Sequence, residues 1–186
     1  YLNNPRSVDG VHDQQLGSFL GPVFSDPEIE KFARSKGAVF EKLSEVDFAR
    51  RIAELINSEK VIGFFEGRME FGPRALGSRS IIGDARSQAM QSVMNLKIKF
   101  RESFRPFAPS VLRESCKEYF DLEAESPYML LVADVREDKI NPESRKADAQ
   151  GIEKLKVKRS TIPAVTHVDY SARVQTVGKE QNPVFH

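Results

Sequence analysis

The run GRMEFGPRALGSRS, residues 67–80, constrains the fold of this chain more than any other feature. Gly67, Gly72 and Gly77 recur every five residues. Glycines at that density let a backbone turn tightly and expose N–H donors, the behaviour of a loop. Val61 to Phe65 before it is a short apolar run bounded by charge, the pattern of a buried strand in an α/β sheet. A second strand is expected near Ser80 to Gly83, so the run reads as a strand-fed loop, where function tends to sit.

Local signals around it predict helices. Ser25-Asp26-Pro27-Glu28 has capping-box spacing, with Ile29, Phe32 and Ala33 on one face and Gly37 as a stop. Ser44 caps a second helix carrying Phe48, Ile52, Leu55 and Ile56. Further on, the spacing predicts a helix from about Ser87 to Lys97, an extended Pro106 to Leu112, a helix around Arg113 to Phe120 and a strand at Met129 to Val135. Strand-like runs at Ala164 to Val168 and Ala172 to Val177 bracket a turn at Asp169-Tyr170-Ser171. The charged segment from Arg136 to Arg159 reads as a mobile surface loop or lid. Helices alternating with strands argue for a mixed α/β domain over 23–186, with residues 1–22 as an extended lead-in or linker. The apolar runs are far shorter than the roughly 20 residues of a membrane-spanning helix. Tyr1 is no initiator methionine, so the chain is expected to belong to a longer protein. A single cysteine, Cys116, excludes an intrachain disulfide and agrees with a reducing compartment, the cytoplasm by default.

Charge narrows the function. The whole chain carries a net charge of only +1, yet residues 67–105 hold eight Lys and Arg against three Asp and Glu. Such segregation reads as a local anion site rather than a polybasic arm, although a solvated helix face is the bland alternative. Arg68, Arg74 and Arg79 follow the loop glycines, and guanidinium forks suit phosphate or carboxylate. The run is neither a Walker A loop nor GxGxxG. Arginines paired with Glu66, Glu70 and Asp84 in a plain strand-to-strand loop would look the same. Lys97, Lys99 and Arg101 alternate and would share one face if extended, while Pro106 and Pro109 hold Arg105 in an extended approach. Arg173, between alternating apolar residues, is either exposed or aimed at a ligand. His167-x-Asp169 is too small a set for a metal, and Cys116 has no neighbouring histidine to activate it.

GRMEFGPRALGSRSIIGDAR, NLKIKFRESFRPFAPSVL and PAVTHVDYSARVQTV, taken together and in this order, resemble the C-terminal domain of the O-carbamoyltransferases of nodulation-factor and antibiotic tailoring. The likeness runs from about Leu20 to Phe185. It implies a YrdC-like fold, an open twisted sheet with flanking helices and a basic cavity. It further implies that this domain takes carbamoyl phosphate and ATP, with Mg²⁺ on the triphosphate, and makes carbamoyl adenylate. An N-terminal domain of the same polypeptide then passes the carbamoyl group to a hydroxyl, usually of a sugar. By motif, Arg74, Lys99 and Arg105 are the expected catalytic positions. Arg68, Arg79, Ser80, Lys97 and Arg173 are expected to bind substrate and ATP, and no protein-held metal is expected. The chain departs from the family's pattern in two places. Tyr170 stands where a glycine is common, and the family's Asn-Thr-Ser-Phe-Asn stretch would lie beyond His186, which implies a truncated domain that is incomplete as an enzyme by itself. A competing expectation is a non-catalytic anion or RNA-binding module, with Phe71, Phe100, Phe104 and Phe107 interleaving the cations; phenylalanines at these spacings are more often core.

Overall fold

The computed structural model describes residue 13 and residues 15–186. Residues 1–12 and 14 of the expected lead-in lie outside the described residues.

Capping chemistry starts the first two helices where the sequence put them. Helix α1, Asp26–Ser35, opens on Ser25, whose backbone N–H and Oγ both donate to Glu28 Oε2, at 2.8 and 2.6 Å. It closes on Gly37 at φ +63°. Helix α2, Glu45–Asn57, opens on Ser44, whose Oγ accepts the Asp47 N–H at 3.2 Å. Neither helix contains a buried residue. Strand β1, Ile62–Phe65, follows and pairs antiparallel with β2, Arg79–Ile82, in a register that sets Phe65 opposite Arg79. The glycine-arginine run is therefore the connection of a hairpin. On the β1 side facing the body, Phe64 is buried between Phe48 of α2 and Phe185, with ring centroids 6.1 and 5.5 Å away.

The next stretch departs from expectation. Only Met90–Val93 forms an α-helix, α3, and Met94–Ile98 widens into a π turn. Lys97 and Ile98 lie in that turn, Lys99 caps it and Phe100 sits at φ +49°, so Lys97, Lys99 and Arg101 do not alternate along a strand. The cause is Asn95. Fully buried, it donates to the carbonyls of Ser103 and Arg105 at 3.1 and 2.8 Å and accepts from Arg101 Nε at 2.6 Å, which pulls residues 95–105 into a compact loop.

Strand β3, Ser110–Leu112, leads through a 3₁₀ turn into α4, Cys116–Tyr119. Strand β4, Val132–Asp134, pairs antiparallel with β5, Ser171–Arg173, and β3 pairs in parallel with β6, Gln175–Val177. The expected strand at Ala172 to Val177 is split at Val174, whose N–H turns aside to the Leu131 carbonyl at 3.0 Å. The expected strand at Ala164 to Val168 is instead a 3₁₀ turn, Pro163–Val165. Helices and strands thus mix in one chain, an α/β class. Among the described residues the strands form three two-stranded ladders rather than one open twisted sheet. Cys116, Phe120, Ala133, Val135, Ile140, Ile162, Val165, Ala172 and Val174 pack the largest core cluster.

Residues 136–159, expected as a mobile surface loop or lid, carry local structure of their own. Three 3₁₀ turns, Glu137–Lys139, Pro142–Lys146 and Gly151–Lys156, fold back on the body. Ile140 enters the core and bridges Ser160, and the Asn141 N–H donates to the Arg159 carbonyl at 2.7 Å. Tyr170 closes its turn in the left-handed region at φ +68°, a conformation that explains why a glycine suits this position. Its hydroxyl lies 3.1 Å from Ser144 Oγ, and the Arg145 guanidinium stands 5.3 Å over its ring.

Candidate functional site: the glycine-arginine loop and its arginine pair

Glu70 organises the loop. Its carboxylate is buried, and Oε1 accepts the backbone N–H groups of Leu76, Ser78 and Arg79 at 2.7, 2.6 and 3.2 Å. The expectation that the loop offers its amides to an outside oxyanion is corrected at these positions, because the chain's own carboxylate takes them. Ser80 follows the same logic, its Oγ accepting the Gly77 N–H at 3.0 Å. Gly77 has φ +113°, and a Cβ there would meet Phe185 at 2.4 Å. The loop is therefore closed from both sides, and Gln175 ties it to β6 by donating from Nε2 to the Leu76 carbonyl at 2.8 Å.

The arginines part company. Arg79 lies 3.5 Å over the Phe65 ring, and its guanidinium donates to the carbonyls of Glu66, Ser78, Gly67 and Pro22 at 2.9, 2.8, 3.1 and 3.4 Å. That occupancy makes it a strut of the hairpin. Arg68, exposed, reaches the Gly21 carbonyl at 3.2 Å. Arg86 is bidentate on Asp84, with Nε to Oδ1 at 2.8 Å and Nη2 to Oδ2 at 2.7 Å, and this bond holds the Asp84 carboxyl below its ordinary range. Of the three acids that could have neutralised the loop, Asp84 alone forms an ion pair among the described residues, and it does so with Arg86.

Arg74 is the exception. It is half-buried, and its Nε is buried without a hydrogen-bond partner. The Gln175–Leu76 bond brings its loop to the strand region that follows Arg173, the last residue of β5. Burial pushes the Arg173 guanidinium below its ordinary value, and the positive charge of Arg74 pushes it further. Neither arginine has a carboxylate partner among the described residues. Two guanidiniums near enough for one to feel the other's charge, with no counter-charge among the described residues, leave an arrangement that an oxyanion would complete, since a buried unsatisfied donor costs about 1–3 kcal/mol.

Beside Arg173, His167 is half-buried. Burial lowers its pKa, Asp169 opposes that and Arg173 reinforces it. Its Nδ1 lies 3.4 Å from Ser171 Oγ, which donates to Asp169 Oδ1 at 2.7 Å. The histidine and the aspartate thus tie a turn, and among the described residues no three His, Cys, Asp or Glu side chains gather as a metal would need. Cys116 is core, with burial raising its thiol pKa.

Lys97, Lys99 and Arg105 are exposed, and Arg105 Nε pairs with Glu102 at 3.0 Å. They lie on the loop that Asn95 gathers, not on a strand face. Phe71, Phe100 and Phe104 are exposed too, at 71%, 85% and 54%, against the expectation that such phenylalanines are core. Phe107 alone of the four packs on both core clusters. Sequence reasoning missed Glu70 as the organiser of the loop and Asn95 as the knot of the second; each is a polar residue inside a segment otherwise read for its cations.

Residues 53–186 match the model of a protein family described as the carbamoyltransferase C-terminus. The chain belongs to that family. It is 53% identical to an uncharacterized protein of Synechocystis over all of this chain and 31% of that protein. It is also 40% identical to the nodulation protein NolNO of Sinorhizobium fredii, over 99% of this chain and 25% of that protein. The 3'-hydroxymethylcephem-O-carbamoyltransferase of Streptomyces clavuligerus is 36% identical over 99% of this chain and 32% of its own length. The chain thus spans about a third or less of each of these relatives, matching their C-terminal part. No helix of the described residues is long and apolar enough to cross a membrane.

Proposed function

We propose that this chain is the carbamoyl-phosphate- and ATP-handling part of a cytoplasmic O-carbamoyltransferase, with a YrdC-like ancestry of its fold. The single observation that carries the reading is the buried Arg74 Nε, which has no hydrogen-bond partner among the described residues, in a loop whose positive charge reaches Arg173. Both substrates are polyanions. Water first cleaves carbamoyl phosphate to carbamate and inorganic phosphate; a carbamate oxygen then attacks the α-phosphorus of ATP, the new P–O bond gives carbamoyl adenylate, and the α–β bridging bond breaks to release pyrophosphate. Arg74 and Arg173 stabilise charge at the reacting phosphate, a task of positioning and electrostatics. Lys99 and Arg105, with Lys97, receive the outer phosphates from their exposed loop, and Arg68 lies at the edge of the site. Mg²⁺ rides on the triphosphate, held by phosphate oxygens and water. Arg79 and Ser80 act only by holding the hairpin, a revision of the ligand roles first expected of them. The carbamoyl group then passes to a hydroxyl acceptor, the kind of group that the Streptomyces relative's name specifies, bound by a preceding part of the same polypeptide.

Calorimetric titration with MgATP and carbamoyl phosphate tests the reading. Saturable binding that disappears in Arg74→Ala and Arg173→Ala supports it; unaltered binding in both variants overturns the site. Exposed Phe100 and Phe104 beside Lys99 and Arg105 favour one second reading, a surface for single-stranded RNA. That reading requires affinity that falls steeply with salt and ignores carbamoyl phosphate.

A further inference from the structure

Among the described residues, the outer side of the hairpin is covered only in part, by the Arg79 guanidinium over the Phe65 ring. Residues 18–22 run beside residues 69–71: the Gly21 N–H donates to the Met69 carbonyl at 2.9 Å, Met69 N–H to Pro22 at 3.0 Å and Phe71 N–H to Ser18 at 2.7 Å. This pairing gathers Leu20, Val23, Phe24, Phe65, Met69 and Phe71 on one exposed surface, with the Phe24 and Phe65 rings 6.0 Å apart. Helix α1 follows residues 20–24 directly in sequence. Ile29 and Phe32 share its apolar face, yet Phe32 remains 64% exposed. A ten-residue helix draws most of its stability from burying such a face, and contiguous apolar surface of this kind is uncommon on a lone domain.

Chain length indicates the occupant. Three relatives match essentially the whole of this chain, yet it spans about a third or less of each and matches their C-terminal part. The segment that carries α1 and residues 20–24 lies ahead of residue 53, where the family-model match starts, and so on the side toward the part those relatives carry before it. We infer that the apolar face formed by α1, residues 20–24 and the outer side of β1 and its loop docks the portion of polypeptide that the relatives carry ahead of this chain. The contact seats the Arg74 loop against that portion, which is where the proposed transfer needs it; the docking itself stands on apolar surface and does not depend on which ligand the arginines hold.

A photo-crosslink in the whole protein tests this. With Phe32→p-benzoylphenylalanine in a mixture of isotopically light and heavy chains, the expected adducts join residue 32 to the part of the same polypeptide that precedes residue 1. Adducts joining light to heavy chains make a second copy the occupant and overturn the inference, as do adducts confined to residues 1–186. In the same whole protein, Ile29→Asp with Phe32→Asp should speed amide exchange at residues 69–71 at least tenfold, while Lys31→Asp on the opposite face leaves it unchanged. Equal exchange in all three proteins overturns the inference too. Neither measurement uses carbamoyl phosphate or ATP, so failure of the ligand reading leaves its outcome intact.

Discussion

Residues 67–80 and residues 95–105 are both rich in cations, and the fold treats them in opposite ways. In the first, the chain consumes its own charge: Glu70 takes three amides and Arg79 takes four carbonyls, whereas the buried Nε of Arg74 has no partner among the described residues. In the second, one buried asparagine knots the backbone while Lys97, Lys99 and Arg105 stay in solvent. Charge density therefore does not by itself mark a ligand. What distinguishes a binding arginine from a strut is whether the fold has already met its donors.

The sharpest way to break the contrast is Glu70→Ala. Removing one oxygen leaves three backbone N–H groups without an acceptor, and at ~1–3 kcal/mol each the loss should be about 3 kcal/mol or more, read by urea unfolding. Glu70→Gln, which keeps an oxygen at the same place, should cost far less; equal losses would mean that charge, not geometry, holds the loop. Next comes Asn95→Ala, expected to cost roughly 1–3 kcal/mol because two part-buried carbonyls lose their donor and Arg101 Nε its acceptor. If Asn95→Ala is as stable as the parent, residues 95–105 are not knotted in the way described.

Arg74→Ala should act on binding alone. Charge-assisted bonds worth about 3 kcal/mol correspond to roughly a hundredfold weaker phosphate affinity, with the melting temperature unchanged or raised because a partnerless donor and a like-charge contact with Arg173 both disappear. Arg79→Ala should do the reverse, lowering stability first. A drop in stability for Arg74→Ala would place it among the struts and erase the distinction.

The smallest effect concerns pH. His167 is held below its ordinary value by burial, so between its folded and unfolded pKa the unfolded chain binds more protons. Stability from this group is complete above the ordinary histidine value, about 6.5, and declines as pH falls through it towards the folded pKa. His167→Gln should flatten that part of the stability profile. The Asp84 and Asp169 contributions, whose folded values are depressed, persist there and fade only as pH falls below the ordinary carboxylate range.

Much of the local structure was legible in the sequence. Caps at Ser25 and Ser44, the short β1 run and the turn at Asp169 to Ser171 depend on residues within a few positions of one another, and each formed where its signal lay. The π turn after Met94, the split of the last strand at Val174 and the folded-down segment 136–159 were not legible, because each answers to a partner far along the chain. The same holds for the site. Motif resemblance named Arg74 and Arg173 but could not tell them from Arg79. By itself, then, the sequence determined the family, the mixed α/β class and the set of cations from which any anion site must be drawn, since composition, capping and motif order are local properties. Only the tertiary structure decided which of those cations are spent and which are free, because a hydrogen bond is satisfied by whatever the fold brings within about 3 Å, and that is fixed by long-range packing.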